Sequence, residues 1–197
     1  MFQFFESIKI ENAIPQNIFF HQKRINETFN QFFPNEKPFE LIKVFKDFTF
    51  DFNEIYKFRI SYSSKIEQIE YSKYIPKIHT HFKLLEVDKL FYSNKFENRD
   101  FINELKSKTK DEIIMFKNGE ILDSAYANII FKKEEKWFVP KSYLLNGTQR
   151  QFLIQEKKVL EREIRIENLV EFSHFKLINA MLNLEESTMY EIEMINY

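Results

Sequence analysis

Two asparagine-glycine pairs are the first places in this sequence where residue types and spacing suggest chemistry. The 197-residue chain has only two glycines, and each follows an asparagine. In residues 144–152 (Leu-Leu-Asn-Gly-Thr-Gln-Arg-Gln-Phe), the pair Asn146-Gly147 stands directly before a helical pattern. The amides at the start of a helix form a ready anion site. We therefore expect an anionic group to bind where this helix begins.

The other pair, Asn118-Gly119, predicts a turn of a different kind. It separates an apolar run that begins near residue 111 from a second apolar run that ends at Asp123. Asparagine followed by glycine suits a type I′ turn, which needs positive φ at both central residues. The pattern predicts a β-hairpin with an acid at the end of its second strand.

Histidine and cysteine give little sign of a metal or thiol site. The chain has no cysteine, which excludes disulfides, thiolate metal sites and a cysteine nucleophile. His79 and His81 alternate along one segment, but no cluster of other ligand types accompanies them. We interpret these two residues and His174 as structural or surface residues, and we expect no metal.

Composition excludes several classes of partner. Lys+Arg 29 balance Asp+Glu 30, so no overall positive field favours nucleic acid or an acidic membrane. No run of about 18 apolar residues is present, and the charged residues Glu6 and Lys9 interrupt the aromatic start too early for a signal peptide. These features predict a soluble cytoplasmic protein that binds a small charged ligand locally.

Several short motifs, in order along the chain, resemble the class IV aminotransferase family of fold-type IV pyridoxal-phosphate enzymes. This family includes branched-chain and D-amino-acid aminotransferases and 4-amino-4-deoxychorismate lyase. No single match is specific, but together they extend from residue 21 to residue 181. The matching segments are residues 21–25 (His-Gln-Lys-Arg-Ile), 95–99 (Lys-Phe-Glu-Asn-Arg), Asp123 with 128–131 (Asn-Ile-Ile-Phe), 145–150 (Leu-Asn-Gly-Thr-Gln-Arg) and 179–181 (Asn-Ala-Met).

The resemblance implies a pyridoxal 5'-phosphate site with two reactive side chains. Lys95 matches the lysine that forms the Schiff base, and its amine would act as the catalytic base. Asp123 would pair with the pyridine nitrogen of the cofactor, although the family normally has glutamate there. Glu120 is the nearest substitute, but the spacing to Asn128 favours Asp123.

The resemblance also implies a phosphate site and a contact to the cofactor ring. Arg24 would grip the phosphate, because its planar guanidinium is always charged and binds phosphate through two parallel hydrogen bonds. Leu145 could pack on the ring, and Arg150 would support the turn instead of binding the cofactor. The further cofactor-binding residues implied are Gly147, Thr148, Gln149 and Asn179.

Hydrophobic spacing predicts the elements that must position these residues. Residues 2–10 alternate as a strand, and residues 21–33 form an amphipathic helix with Arg24 near its start. Residues 56–62 and 66–74 read as a strand pair. Further on we predict strands at 82–92, within 111–139, at 159–166, 175–178 and 189–195, and helices at 98–108 and 148–157.

These elements predict an α+β fold with two domains. Residues 75–77 are the best linker, so we expect a small α/β domain over residues 1–75 and a larger β-rich domain over residues 76–197. Clefts between domains are common ligand sites, and we expect the cofactor there. The resemblance also implies a homodimer.

The phrases Lys-x-x-Asn-Arg, Asn-Gly-x-x-Arg-Gln-Phe and Asn-Ala-Met are nearer to 4-amino-4-deoxychorismate lyase than to the aminotransferases. The implied reaction releases pyruvate and gives 4-aminobenzoate for folate biosynthesis. Two alternatives stay open: a small aminotransferase for D- or branched-chain amino acids, and a non-catalytic member of the fold. The second follows from Asp123 and from the missing elements that usually shape the substrate side of the site.

Overall fold

The computed structural model describes residues 3–87 and 94–196, which group into two compact units. The first unit extends to Pro76 and includes Asn94–Asn98. The second unit comprises the described residues of 77–93 and 99–197. Strands and a few helices occur in both, which confirms the predicted α+β class. The division into domains at residues 75 and 76 stays a prediction. No helix of the described residues is long and apolar enough to cross a membrane.

The first unit is a four-stranded antiparallel sheet with a long helix. Its elements are β1 (Phe4–Glu11), β2 (Ile14–Pro15), α1 (Ile18–Phe32), α2 (Leu41–Phe45), β3 (Tyr56–Tyr62) and β4 (Ile66–Lys73). The strand order is β2-β1-β3-β4. The predicted first strand, first helix and strand pair are thus confirmed, with ends shifted by a few residues.

The core of the first unit forms where α1 packs on the sheet. Alternate residues of β1, including Phe4 and Ile8, lie in one buried cluster with Ile25 and Phe29 of α1. Since side chains alternate across a strand, Glu6 shares the face of Phe4 and Ile8. An acid is therefore carried into the interior beside the helix.

The second unit is built on a nine-stranded mixed sheet. Its strands are β5 (Phe82–Glu86), β6 (Glu112–Lys117), β7 (Glu120–Ser124), β8 (Asn128–Lys133), β9 (Lys136–Pro140), β10 (Leu160–Arg162), β11 (His174–Ile178), β12 (Met189–Glu191) and β13 (Ile195–Asn196). Helices α3 (Asp100–Ser107) and α4 (Thr148–Gln155) accompany them. The main path is β10-β9-β8-β7-β6-β5-β13, and β11 pairs with β8 and β12.

The predicted hairpin is confirmed by β6 and β7, which pair as antiparallel strands with Lys117 opposite Glu120. At the turn Asn118 has φ 50° and Gly119 has φ 81°, as a type I′ turn requires. The following turn, between β7 and β8, brings Asp123 opposite Asn128. The hairpin therefore fixes the acid at a known register in the sheet.

Four elements differ from the sequence prediction. Helix α2 is only five residues long, too short to show a helical period, and was not predicted. The predicted strand at 189–195 is broken, because β12 pairs with β11 while β13 pairs with β5, and a 3₁₀ turn at Ile192–Met194 redirects the chain. Of the strand predicted at 159–166, only Leu160–Arg162 (β10) forms a strand. The strand predicted at 82–92 is observed over Phe82–Glu86 (β5), and residues 88–93 lie outside the described part.

Candidate functional site

The predicted site residues belong to two different units. Arg24 and Lys95 lie in the first unit. The second unit carries Asp123, Leu145, Gly147, Thr148, Gln149 and Asn179. Each group can be described by its own contacts.

In the first unit, Arg24 is held by an acid that the sequence analysis did not select. Its Nε donates to Glu6 Oε1 at 2.8 Å, and its Nη2 donates to Glu6 Oε2 at 2.6 Å. His21 Nδ1 lies 2.5 Å from the same Oε2. All three side chains are buried, and those of Glu6 and His21 are completely so. The arginine expected at the phosphate is therefore fixed in orientation by a buried carboxylate.

The electrostatics of this cluster define its protonation state. Burial alone would raise the pKa of Glu6, but the charge and hydrogen bonds of Arg24, with the hydrogen bond of His21, hold that pKa at about 2. Burial lowers the pKa of His21, against the opposing effect of Glu6. Because ionised Glu6 only accepts hydrogen bonds, neutral His21 must carry its proton on Nδ1. The cluster is thus one carboxylate between one cation and one neutral imidazole.

Lys95 is attached to the edge of β1 through its main chain. Phe5 N donates to Lys95 O at 3.0 Å, Phe96 forms a bridge with Phe4, and Glu97 N donates to Gln3 O at 2.9 Å. The half-buried Lys95 places Nζ 4.5 Å from the centroid of the Phe5 ring. Its charge also contributes to the lowered pKa of His21. The predicted Schiff-base lysine and the predicted phosphate arginine thus flank one strand.

In the second unit, Asp123 is a buried carboxylate surrounded by amide donors. Its Oδ1 accepts from Asn128 Nδ2 at 2.7 Å. Its Oδ2 accepts from the backbone N–H groups of Leu144 and Leu145, each at 2.9 Å. Each carboxylate oxygen has two lone pairs, so Oδ1 keeps capacity for one more donor. Asp123 therefore connects the β7–β8 turn to the segment that leads into α4.

The pKa of Asp123 moves in the opposite direction to that of Glu6. Burial raises it to about 6, although the hydrogen bonds from Leu145, Asn128 and Leu144 pull it down. Amide dipoles compensate a buried negative charge less completely than a full positive charge does. An additional donor that carries positive charge would stabilise the ionised form of Asp123.

The turn before α4 is packed tightly against Asn128. Asn128 Nδ2 donates to Leu145 O at 2.9 Å, and a Cβ added at Gly147 would collide with Asn128 Oδ1. Gly147 has φ −62°, so this glycine is required by close approach and not by backbone conformation. Thr148 and Gln149, both buried, form the first turn of α4. The helix start predicted as an anion site is therefore fixed to Asp123 through Asn128 as well as through the amides of Leu144 and Leu145.

Arg150 supports this turn, as its sequence position predicted. Its Nη2 donates to Pro140 O at 3.1 Å and to Glu161 Oε1 at 2.7 Å, and its Nη1 donates to Asn146 Oδ1 at 3.2 Å. These contacts tie the turn to β9 and β10. Leu145 contributes its backbone to the Asp123 and Asn128 network, and its packing on a cofactor ring stays a prediction.

Two motif residues hold the loop between Asp123 and Asn128. Arg99 Nη2 donates to Ala125 O, and Asn179 Nδ2 donates to Tyr126 O at 3.3 Å. Asn179 Oδ1 also accepts from the backbone N–H groups of Met181 and Leu182. The described contacts of the Asn179 side chain are thus structural, and its role at the phosphate stays a prediction. The motif signal was present for Arg99, but sequence alone did not indicate which carbonyl it would meet.

Glu112 and His79 also support this loop. Glu112 Oε1 accepts from Ala125 N at 3.2 Å, and its Oε2 accepts from Lys106 Nζ at 3.1 Å. His79 Nε2 lies 2.7 Å from the Tyr126 hydroxyl. This is the structural use expected for His79, and the described residues contain no cluster of three or more metal-ligand side chains.

Comparisons with known proteins place these features in a family. The sequence model of the amino-transferase class IV family matches residues 92–184. A Haemophilus influenzae protein, named only "Uncharacterized protein", is 37% identical over 188 residues, which cover 93% of this chain and 100% of that protein.

Two solved structures are also similar to this chain. A crystal structure from Haemophilus somnus, named a "putative 4-amino-4-deoxychorismate lyase", is 32% identical with a TM-score of 0.87, covering 93% of this chain and 98% of that one. The PLP-bound form of a hypothetical aminotransferase from Mycobacterium tuberculosis is 13% identical with a TM-score of 0.71, covering 98% and 81%. The latter likeness is one of fold.

Proposed function

The chain belongs to the class IV aminotransferase family, and we propose that it acts as a pyridoxal-phosphate-dependent 4-amino-4-deoxychorismate lyase in folate biosynthesis. The proposed cofactor rests on the link between Asp123 and the start of α4. A buried acid and a helix N-terminus connected through Leu144 and Leu145 suit a ligand with a cationic ring nitrogen at one end and a phosphate at the other.

The side chains present fit the chemical needs of this cofactor. Lys95 supplies a primary amine on a fixed main chain, and Arg24 supplies a guanidinium whose orientation Glu6 sets. Asp123 supplies a carboxylate that is ionised above about pH 6. When bound, pyridoxal phosphate supplies an electron sink that stabilises negative charge developed on the substrate.

Asp123 and Lys95 would have different roles in the reaction. The carboxylate of Asp123 holds the proton on the pyridine nitrogen, which keeps the ring electron-poor. The amine of Lys95 takes the proton from ring carbon C4 of the substrate and returns a proton to the departing enolpyruvate. The side chain of Asp123 is one methylene shorter than the glutamate that the family normally has, and the amides of Leu144 and Leu145 fix its carboxylate.

The test is a product assay without an amino acceptor. In a lyase reaction the nitrogen stays on the aromatic product, so 4-aminobenzoate and pyruvate form together from aminodeoxychorismate. We expect continuous release of both by the cofactor-loaded protein and none by Lys95→Ala. An amino transfer from D-alanine or leucine to 2-oxoglutarate, with no pyruvate from aminodeoxychorismate, would replace the lyase assignment by the aminotransferase one.

The aminotransferase alternative rests on a likeness of fold. A crystal structure from Mesorhizobium loti, named a "Putative amino-acid aminotransferase", has a TM-score of 0.74 at 15% identity, covering 93% of this chain and 97% of that one. A protein that stays colourless when pyridoxal phosphate is added would instead indicate a non-catalytic member.

We further propose a homodimer in the cytoplasm, and light scattering after gel filtration tests its mass.

A further inference from the structure

The turn between β7 and β8 joins two residues of the candidate site. Asp123 lies before it and Asn128 after it, and the two are paired across the sheet. The favoured tight hairpin turns need positive φ, which the pair Asn118-Gly119 supplies in the neighbouring hairpin. None of the described residues 124–127 has a positive φ. This turn therefore depends on contacts from other elements to keep its shape.

Three side chains from other elements hold the main chain of the turn. Glu112 of β6 accepts from Ala125 N at 3.2 Å, and Arg99, at the start of α3, donates to Ala125 O. Asn179, which follows β11, donates to Tyr126 O at 3.3 Å. All three contacts reach backbone atoms, so they do not depend on which side chain stands at residue 126.

A further contact joins the side chain of Tyr126 to His79. The Tyr126 hydroxyl lies 2.7 Å from His79 Nε2, which is a hydrogen-bond distance. The main-chain N–H of His79 donates to the Tyr190 hydroxyl at 3.2 Å. His79 Nδ1 lies 3.9 Å from Glu112 Oε2. The imidazole is thus fixed by its own neighbours and gives the hydroxyl a partner at a defined position.

The charge state of His79 suits a hydroxyl partner. Burial lowers the pKa of His79. The positive charges of Lys106 and Lys77 act in the same direction, and the negative charge of Glu112 opposes them. The imidazole is therefore mainly neutral at pH 7, and a neutral imidazole has one donor and one acceptor nitrogen.

We propose that His79 is a positioning residue that acts through the Tyr126 hydroxyl on the carboxylate of Asp123. The turn keeps Asp123 opposite Asn128, whose amide donates to that carboxylate and also to Leu145 O before α4. Loss of the contact between His79 and Tyr126 would admit water to the carboxylate and loosen the helix start. The consequence for the cofactor rests on the proposed function, whereas the consequence for Asp123 does not.

The ¹³C carboxyl titration of Asp123 in the apo protein measures the first consequence. Burial raises the pKa of Asp123 from 3.8 to about 6. We expect Tyr126→Phe, which removes only the hydroxyl, to move this midpoint towards 3.8, because a hydrated carboxyl ionises more easily. His79→Ala should have the same effect. His79→Gln keeps a group that can hydrogen-bond to the hydroxyl and should retain much of the wild-type midpoint.

A double-mutant cycle distinguishes this contact from general damage. Tyr126→Phe and His79→Ala remove the same interaction, so the double variant should be shifted no further than either single variant. Binding of pyridoxal phosphate, followed by absorbance, gives a second readout. Loss of one neutral hydrogen bond should weaken this binding by on the order of 2- to 10-fold.

His81→Ala is the matched control. His81 lies two residues after His79, is exposed, and places Nδ1 3.0 Å from the hydroxyl of the adjacent Thr80. Its removal deletes the same side chain from a position in water, so the Asp123 midpoint and the cofactor affinity should equal those of the wild type. Melting temperatures of the apo variants establish that each is folded.

Four results would overturn the inference: a wild-type midpoint already near 4, an unchanged or raised midpoint in Tyr126→Phe, additive shifts in the double variant, or an equal shift in His81→Ala. A lowered midpoint in variants of a protein that does not bind pyridoxal phosphate would support the role of His79 and reject the cofactor proposal. Failure of the wild type to release pyruvate from aminodeoxychorismate would reject the lyase assignment alone, because the titration uses no substrate.

Discussion

Replacing Glu6 by glutamine should destabilise the protein strongly, because it removes the charge that Arg24 and His21 share. Removing one partner of a buried ion pair costs about 3–5 kcal/mol, since the other charge is left uncompensated. The pKa of Glu6 gives a similar figure: about 2 instead of 4.5 corresponds to about 3 kcal/mol at about 1.4 kcal/mol per unit. Glutamine keeps one acceptor oxygen, so we expect the lower end, about 3 kcal/mol in the free energy of unfolding.

The same carboxylate predicts how this difference depends on pH. The pKa of Glu6 is lower in the folded state than in the unfolded chain, so its stabilisation is fully present above about pH 4.5. It is lost as the pH falls from 4.5 towards 2, where the folded state takes up the proton. The stability difference between wild type and Glu6→Gln should therefore be constant from pH 6 to 8 and shrink in acid.

Urea denaturation of the apo protein, followed by circular dichroism, measures this difference. The matched control is Glu27→Gln, because Glu27 forms an exposed ion pair with Lys23 on the same helix, at 3.9 Å. Exposed pairs contribute from about 0 to 1 kcal/mol, so this variant should unfold almost as the wild type does. Equal stability of Glu6→Gln and Glu27→Gln at pH 7 would refute the role given to the buried carboxylate.

Three further predictions concern the second unit and the cofactor. Borohydride treatment of protein mixed with pyridoxal phosphate should fix the cofactor on the peptide that contains Lys95, and label on another lysine would reject this assignment. The ¹³C carboxyl resonance of Asp123 should titrate near pH 6, because burial raises its pKa, and this titration should vanish in Asp123→Asn; a midpoint near 4 would show that the carboxyl is hydrated. Gly147→Ala should destabilise the apo protein by about 1–3 kcal/mol, since the added Cβ collides with Asn128 Oδ1, whereas Ala180→Gly, at a half-buried turn, should cost less; an equal effect in thermal melts would contradict the packing argument.

Local chemistry made much of the fold predictable. The Asn118-Gly119 hairpin follows from the backbone angles that a type I′ turn requires, and these depend on two adjacent residues. Helix α1 follows from apolar residues at helical spacing, of which Ile25 and Phe29 are buried. By contrast, the break at Ile192–Met194 depends on which strands β12 and β13 meet, and pairing partners are not written in the local sequence.

The candidate site was predictable where motifs supplied the residues, but its internal contacts were not. Glu6 was missed because its partners, His21 and Arg24, lie 15 and 18 residues away. A signal was present, since Glu6 occupies the alternating position of Phe4 and Ile8 in β1 and therefore had to be buried. A charged residue on an apolar face requires a partner, which directs attention to the polar residues of the adjacent helix.

Two buried carboxylates in this chain have opposite pKa shifts, and the difference indicates their roles. Glu6 and Asp123 both lie away from water, but a guanidinium compensates Glu6 whereas the hydrogen-bond donors described for Asp123 are amides. The charge of Arg150 lowers the pKa of Asp123, but the close ion pair of Arg150 is with Glu161. Glu6 is therefore complete as a structural ion pair, while Asp123 is an acid whose ionisation would become more favourable if a cationic donor reached Oδ1. A protonated pyridine nitrogen is such a donor, so the energetic cost of burying Asp123 is itself an argument that this residue is kept for a ligand.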